Sequence, residues 1–138
     1  MEIKKRIISL DIGTKRIGVA SCDALWISVN PITTILRKQD DIARKEIMDI
    51  CSKYQTKTIL IGVPYNMNGS LGFQAKNCLD FIKPLEKDYE ILYQDERLSS
   101  SGAEEILRQK GKKYTKDKKM VDMIAACVIL QEYLENNR

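Results

Sequence analysis

Histidine is missing from all 138 residues. Its absence removes the usual general base near neutral pH, the Ser-His and Cys-His nucleophile pairings, and the commonest zinc ligand. If the protein is an enzyme, carboxylates and a hard cation are the tools that remain. The four cysteines, at positions 22, 51, 78 and 127, include no Cys-x-x-Cys pair. Their wide spacing beside apolar neighbours argues against a zinc site and predicts buried thiols in a reducing compartment. The sequence also lacks any apolar run of membrane-spanning length. Its opening, Met-Glu-Ile-Lys-Lys-Arg, leads straight into a strand-like run with no apolar segment of the signal-peptide kind. A cytoplasmic location is the expectation.

What is present fits a globular chain, with 43% apolar and 30% charged residues. The length suits one domain over residues 1–138, enough to bury a core and too little for two domains of ordinary size. The net charge of +4 is concentrated: in "GKKYTKDKK", residues 111–119, five lysines face one aspartate, and the remainder of the chain is neutral. Lys112, Lys113 and their neighbours read either as a solvated loop or as an arm that contacts phosphates.

Local patterning predicts strands at residues 7–10, closed by Asp11, at 17–22 and at 32–36, the first two joined as a hairpin. Asp40 and Asp41 open a helix carrying Ile42, Ile47, Met48, Ile50 and Cys51. A fourth strand over 58–61 is stopped by Gly62 and Pro64. A helix over 71–85 follows, capped by Ser70, with Ala75, Cys78, Leu79 and Ile82 on one face. "YEILYQ" is a fifth strand delivering Asp95 and Glu96. A helix capped by one of Ser99, Ser100 or Ser101 reaches Arg108, and an almost wholly apolar helix over 120–134 closes the chain. This order describes an α/β protein with a mixed five-stranded sheet, three antiparallel strands then parallel ones, flanked by helices.

Acids stand where apolar residues would be expected to continue. Asp11 closes the first strand, Asp95 and Glu96 the last, and Asp122 lies in the first turn of the final helix beside Ala126 and Ile129 on its face. Each alone fits a solvated strand end or a helix-dipole contact. Together they can converge if the first and last strands lie side by side, with the small Ala125 and Ala126 letting the helix approach. Converging carboxylates repel unless a cation joins them. Oxygen ligands select Mg²⁺ or Mn²⁺, whose paired ions can hydrolyse a phosphodiester without histidine. Asp11, Glu96 and Asp122 are therefore the candidate metal ligands and catalytic residues, with Asp95 the alternative to Glu96 because the two alternate across the strand.

"LDIGTKRIGVA", "GVPYNMNGS", "DERLSS" and "KKMVDMIAACVILQEYL" resemble, in order and over nearly the whole chain, the motifs of the YqgF or RuvX family, Holliday-junction-resolvase-like nucleases of bacteria. Ser99 or Ser100 stands where the family usually has threonine, and serine keeps the hydroxyl. The resemblance implies an RNase H-like fold and a metal-dependent nuclease that matures the 5′ end of 16S ribosomal RNA, with resolution of DNA junctions as the alternative. It also implies that Asp11, Glu96 and Asp122 form the acidic site. Lys15 and Arg16 then read as phosphate contacts or as ordinary hairpin solvation. The stretch holding Asn68 is either a plain connection or a phosphate-binding loop, and the resemblance favours the second. Arg97 pairs with a neighbouring acid or binds the scissile phosphate. Nucleic acid is the expected partner, with monomer and homodimer both open.

Two other classes share parts of this pattern. Sugar kinases and actin-like ATPases also begin with a strand, Asp-x-Gly and a hairpin, but need two such domains around a nucleotide. A nucleic-acid-binding module with an idle site would use the lysine segment alone.

Overall fold

The computed structural model describes residues 3–96 and 117–138. The helix expected after Ser99, together with Arg97, Lys112 and Lys113, lies outside the described residues. Among the described residues, β1 (Ile8–Ile12), β2 (Arg16–Cys22), β3 (Val29–Leu36), β4 (Thr58–Val63) and β5 (Glu90–Asp95) form one sheet in the order β3-β2-β1-β4-β5. The β1–β2 and β2–β3 pairs are antiparallel, and the β1–β4 and β4–β5 pairs are parallel. The helices are α1 (Asp40–Lys53), α2 (Phe73–Ile82) and α3 (Lys118–Asn137). This is the mixed α/β sheet that the patterning predicts.

Alternation along the strands sorts residues between two faces. Ile8, Leu10 and Ile12 of β1, Ile17 and Val19 of β2, and Ile59, Ile61 and Val63 of β4 pack with Ala43, Ile47 and Cys51 of α1 and Ala75, Cys78, Phe81 and Ile82 of α2. The intervening residues face α3: Ile7, Cys22 and Leu60 pack with Ile129, Leu130 and Leu134, and the Ser9 hydroxyl donates to the Ala126 carbonyl at 2.9 Å. Strand β4 is buried along its whole length, as expected for a parallel strand covered on both sides. Cys22, Cys51 and Cys78 are buried free thiols and Cys127 is partly buried. Burial pushes the Cys51 and Cys78 thiols up to about 11, so both are protonated packing groups.

Several expectations need correction. The first and last strands are not neighbours, because β4 lies between β1 and β5. Strand β1 continues through Asp11 to Ile12, and β4 runs past Gly62 to Val63. Strand β3 begins at Val29 and includes Pro31, tolerated because β3 is an edge strand with an irregular register opposite Val19 and Ala20. In α1, Ile42 and Met48 are exposed; the buried stripe is Ala43, Ile47 and Cys51, spaced by four. Helix α2 starts at Phe73 with Gly72 as its cap, and a 3₁₀ turn, Lys83–Leu85, holds Pro84 at its end. Ser70 does not cap it; its hydroxyl donates to Asn68 Oδ1 at 2.6 Å.

Helix α3 begins two residues before the expected start, at Lys118. Asp117 caps it, its Oδ1 accepting from the Lys119 and Met120 amides at 3.1 and 3.3 Å. Asp122 therefore sits in the second turn. The Thr34 hydroxyl of β3 donates to the Lys119 carbonyl at 2.7 Å and fixes the helix entry over the antiparallel half of the sheet.

Candidate active site

Helix α3 lies close to the sheet because the residues under it are small. A Cβ built on Gly18 of β2 would fall 1.9 Å from the Asp122 carbonyl oxygen, so helix backbone rests directly on strand backbone there. One strand over, Asp11 is paired with Gly18 in the β1–β2 register. Asp11 thus emerges on the face where α3 carries Asp122. At Gly62 of β4 a Cβ would meet Glu96 Cγ at 2.9 Å and Ile129 Cδ1 at 2.8 Å. The missing side chain lets Glu96, just past the end of β5, lean across β4 toward Asp11. That reach is how carboxylates from non-adjacent strands share one pocket.

The pocket encloses about 380 Å³, with Asp11, Gly13, Gly62, Gln74, Glu96 and Ala125 among its walls. Glu96 Oε1 is buried within the fold. The Asp11 carboxyl is pushed up to about 6, first by burial, then by the negative charges of Asp122 and Glu96. The charges of Asp122 and Glu96 therefore both act on Asp11. Asp122 Oδ2 accepts from Arg16 Nε at 2.7 Å, with both side chains mostly shielded from solvent. Among the described residues no three acidic or thiol side chains stand close enough to form a ready-made ion cage. In donor chemistry the set fits a hard divalent cation, all carboxylate oxygen and no nitrogen or sulfur.

Of the other predicted residues, Arg16 heads β2 and is engaged by Asp122. Lys15 is exposed in the β1–β2 turn, where its carbonyl accepts from the Arg37 amide at 2.9 Å. Asn68 is exposed and turned into its own loop, Oδ1 accepting from the Ser70 amide at 3.0 Å. The amides of Asn66 and Gly69 also donate within that loop, to Ser70 and Asn66 carbonyls. These backbone donors organise the connection, and the structure does not bring Asn68 to the acids. Asp95 is exposed at the end of β5, whereas Leu92, in phase with Glu96, packs toward α3.

Sequence reasoning missed Gly18, Ser9 and Gln74, and read Gly62 as a strand stop. An isolated glycine inside a strand pattern was the available signal for Gly18 and Gly62. Nothing in the sequence marked Gln74.

An antiparallel three-strand half joined to two parallel strands, with an acid on the middle strand under an acid-bearing helix, defines the RNase H-like class. Solved structures agree in fold: the fowlpox virus Holliday junction resolvase superposes with a TM-score of 0.61 at 15% identity, covering 95% of this chain and 99% of that one. Thermus thermophilus RuvC gives a TM-score of 0.58 at 7% identity, covering 95% and 96%. The model of the family described as "RuvX: Holliday junction resolvase" matches residues 5–136. The protein belongs to this RuvX family. A relative from Synechococcus elongatus named "Putative pre-16S rRNA nuclease" is 43% identical over 135 residues, 95% of this chain and 89% of the relative. One of the same name from Clostridium acetobutylicum is 39% identical, over 95% of this chain and 98% of its own length.

Proposed function

We propose that this protein is a metal-dependent nuclease that hydrolyses phosphodiester bonds while processing the 5′ end of the 16S ribosomal RNA precursor in the cytoplasm. The observation that carries the reading is that Asp11 and Glu96 line one pocket between α2 and α3, with the charges of both Asp122 and Glu96 bearing on Asp11. The activity named for relatives at 39–43% identity supplies the substrate.

Asp11, Glu96 and Asp122 would hold Mg²⁺ or Mn²⁺, which when bound polarises a phosphoryl oxygen and makes water a nucleophile near neutral pH. The chain's own residues do the rest. Gly18 and Ser9 hold α3 down on the sheet, which keeps Asp122 close enough for its charge to act on Asp11. Arg16 steadies Asp122 through Nε and keeps further N–H groups for a phosphate oxygen. Lys15, in the adjoining turn, adds a positive charge for the backbone of the substrate. Arg97, Lys112 and Lys113 are assigned to the same task from their place in the sequence.

Replacing Asp11 with Asn tests this. Cleavage of a ribosomal RNA precursor in Mg²⁺ or Mn²⁺ should fall by about 10³-fold or more while binding persists. Equal cleavage by variant and parent removes Asp11 from the mechanism. The family description favours a second substrate, a four-way DNA junction. Preferential cutting of such a junction over the RNA precursor would move the assignment there.

A further inference from the structure

A second cavity lies between α1 and α2, on the side of the sheet opposite α3, and nothing in the catalytic reading uses it. It encloses about 420 Å³, a size that suits a nucleotide-sized group. Helix α2 is the wall it shares with the catalytic pocket: Gln74 and Cys78 line that pocket, while Phe73, Lys76 and Asn77 line this cleft. Arg37, also on the cleft, donates from Nη1 to the carbonyl of Gly13 at 2.8 Å, and Gly13 lines the catalytic pocket. The two cavities are therefore neighbours around the first turns of α2.

The cleft carries two features that the fold does not explain. Phe73 is 76% exposed at the start of α2, so its ring contributes little to the core. Asn77 Nδ2 is buried and has no hydrogen-bond acceptor among the described residues, a costly arrangement for an amide donor. The remaining walls are stiff. Arg37 and Arg44 stack on the Phe81 ring at 4.6 and 4.9 Å, and Arg37 is forked onto Asp40 at 2.8 and 3.2 Å. Arg44 donates to the Phe81 carbonyl at 2.7 Å. With these guanidinium groups committed, recognition falls to an exposed aromatic face, one amide donor and the exposed Lys76 at the rim, beside one exposed carboxylate, Asp80.

We propose that this cleft binds an unpaired nucleobase of the strand whose phosphodiester lies at Asp11, the base stacking on Phe73 and drawing the buried Asn77 amide outward to a base carbonyl. Lys76 faces the adjoining phosphate. The proposal rests on the nuclease reading for the strand's path, and it makes single-stranded character next to the cut a requirement for tight binding. Aromatic stacking and one directed amide are the usual means of holding splayed bases without demanding much sequence.

The test is a titration of the full chain, in EDTA, with a single-stranded RNA carrying 2-aminopurine, beside the same RNA in a duplex. Wild-type protein should quench the 2-aminopurine on binding. Phe73→Ala should lose the quench and weaken single-strand binding by roughly tenfold, with duplex binding unchanged, and Phe73→Trp should restore both. Asn77→Ala should weaken single-strand binding by a smaller factor, with thermal melts verifying that each variant is folded. The proposal is overturned if wild type does not quench, or if Phe73→Ala and Asn77→Ala bind and quench like wild type. Cleavage by wild type in Mn²⁺ is measured in parallel. Cleavage with no Phe73 effect removes the cleft alone; a Phe73-dependent quench without cleavage keeps the cleft and removes the nuclease reading.

Discussion

The two faces of the central sheet are built on opposite rules. The face under α1 and α2 is a continuous aliphatic layer, with Ile8, Leu10, Ile59 and Ile61 fully buried against Ile47 and Ile82. Each such side chain contributes about 1.5–3 kcal/mol of burial free energy. The face under α3 gives up much of that area to Ser9, Asp11, Gly18 and Gly62. In return, helix backbone comes to strand backbone and carboxylates enter a partly dry pocket. One face supplies stability, and the other spends part of it on placing acids.

The sharpest way to break this contrast is a single methyl group. Gly18→Ala puts a Cβ 1.9 Å from the Asp122 carbonyl oxygen, where neither backbone can yield without lifting α3. The cost should be about 3 kcal/mol or more in urea unfolding, with cleavage lost as Asp122 moves. On the opposite face Ile61→Val should cost only about 1 kcal/mol and leave cleavage intact. Similar costs for both substitutions would mean that the two faces pack alike.

The second prediction concerns the sign of the Asp11 charge. Its carboxyl titrates near 6 in the fold, above its ordinary 3.8. Between those values the native state binds more protons than the unfolded chain, so stability falls as pH rises from about 4 through 6 and then levels. In EDTA, Asp11→Asn should therefore be more stable than wild type above pH 6, by up to about 3 kcal/mol. The gap should vanish near pH 4. Added Mn²⁺ should stabilise wild type and not the variant. Melting curves that show no pH-dependent gap would mean that Asp11 is not held at a cost.

Much of this layout was legible beforehand, and the failures have physical causes. Asp11 and Asp122 stood out because a charge amid apolar periodicity needs a reason. The choice of Glu96 over Asp95 depended on the phase of β5, which became fixed only once Leu92 was seen to face α3. The adjacency expected of β1 and β5 failed because strand order after a crossover is decided by long-range packing, which local patterns do not encode. The apolar residues noted on α1 did not define its inward face: Ile42 and Met48 are exposed, whereas α1 turns Ala43, Ile47 and Cys51 toward the sheet. Glycine is silent about what will approach it, so the tight contacts at Gly18 and Gly62 were readable only as interruptions of a strand.

The smallest expected effect separates two roles for one cation. Arg16 holds Asp122 Oδ2 at 2.7 Å, so it already neutralises a carboxylate that a divalent ion would share. Its positive charge also repels an approaching cation, and a partly shielded pair feels this more strongly than one in open water. If Arg16 competes with the ion, Arg16→Gln should tighten Mn²⁺ binding about fivefold by calorimetry, close to 1 kcal/mol. The same variant should raise the KM for nucleic acid if the guanidinium also serves the phosphate contact proposed for it. If Arg16 instead only orients Asp122, the substitution should weaken Mn²⁺ binding, since a loosened carboxylate is a poorer ligand. The direction of the change decides whether the antiparallel hairpin lends the acidic face a rival to the metal or a support for its ligand.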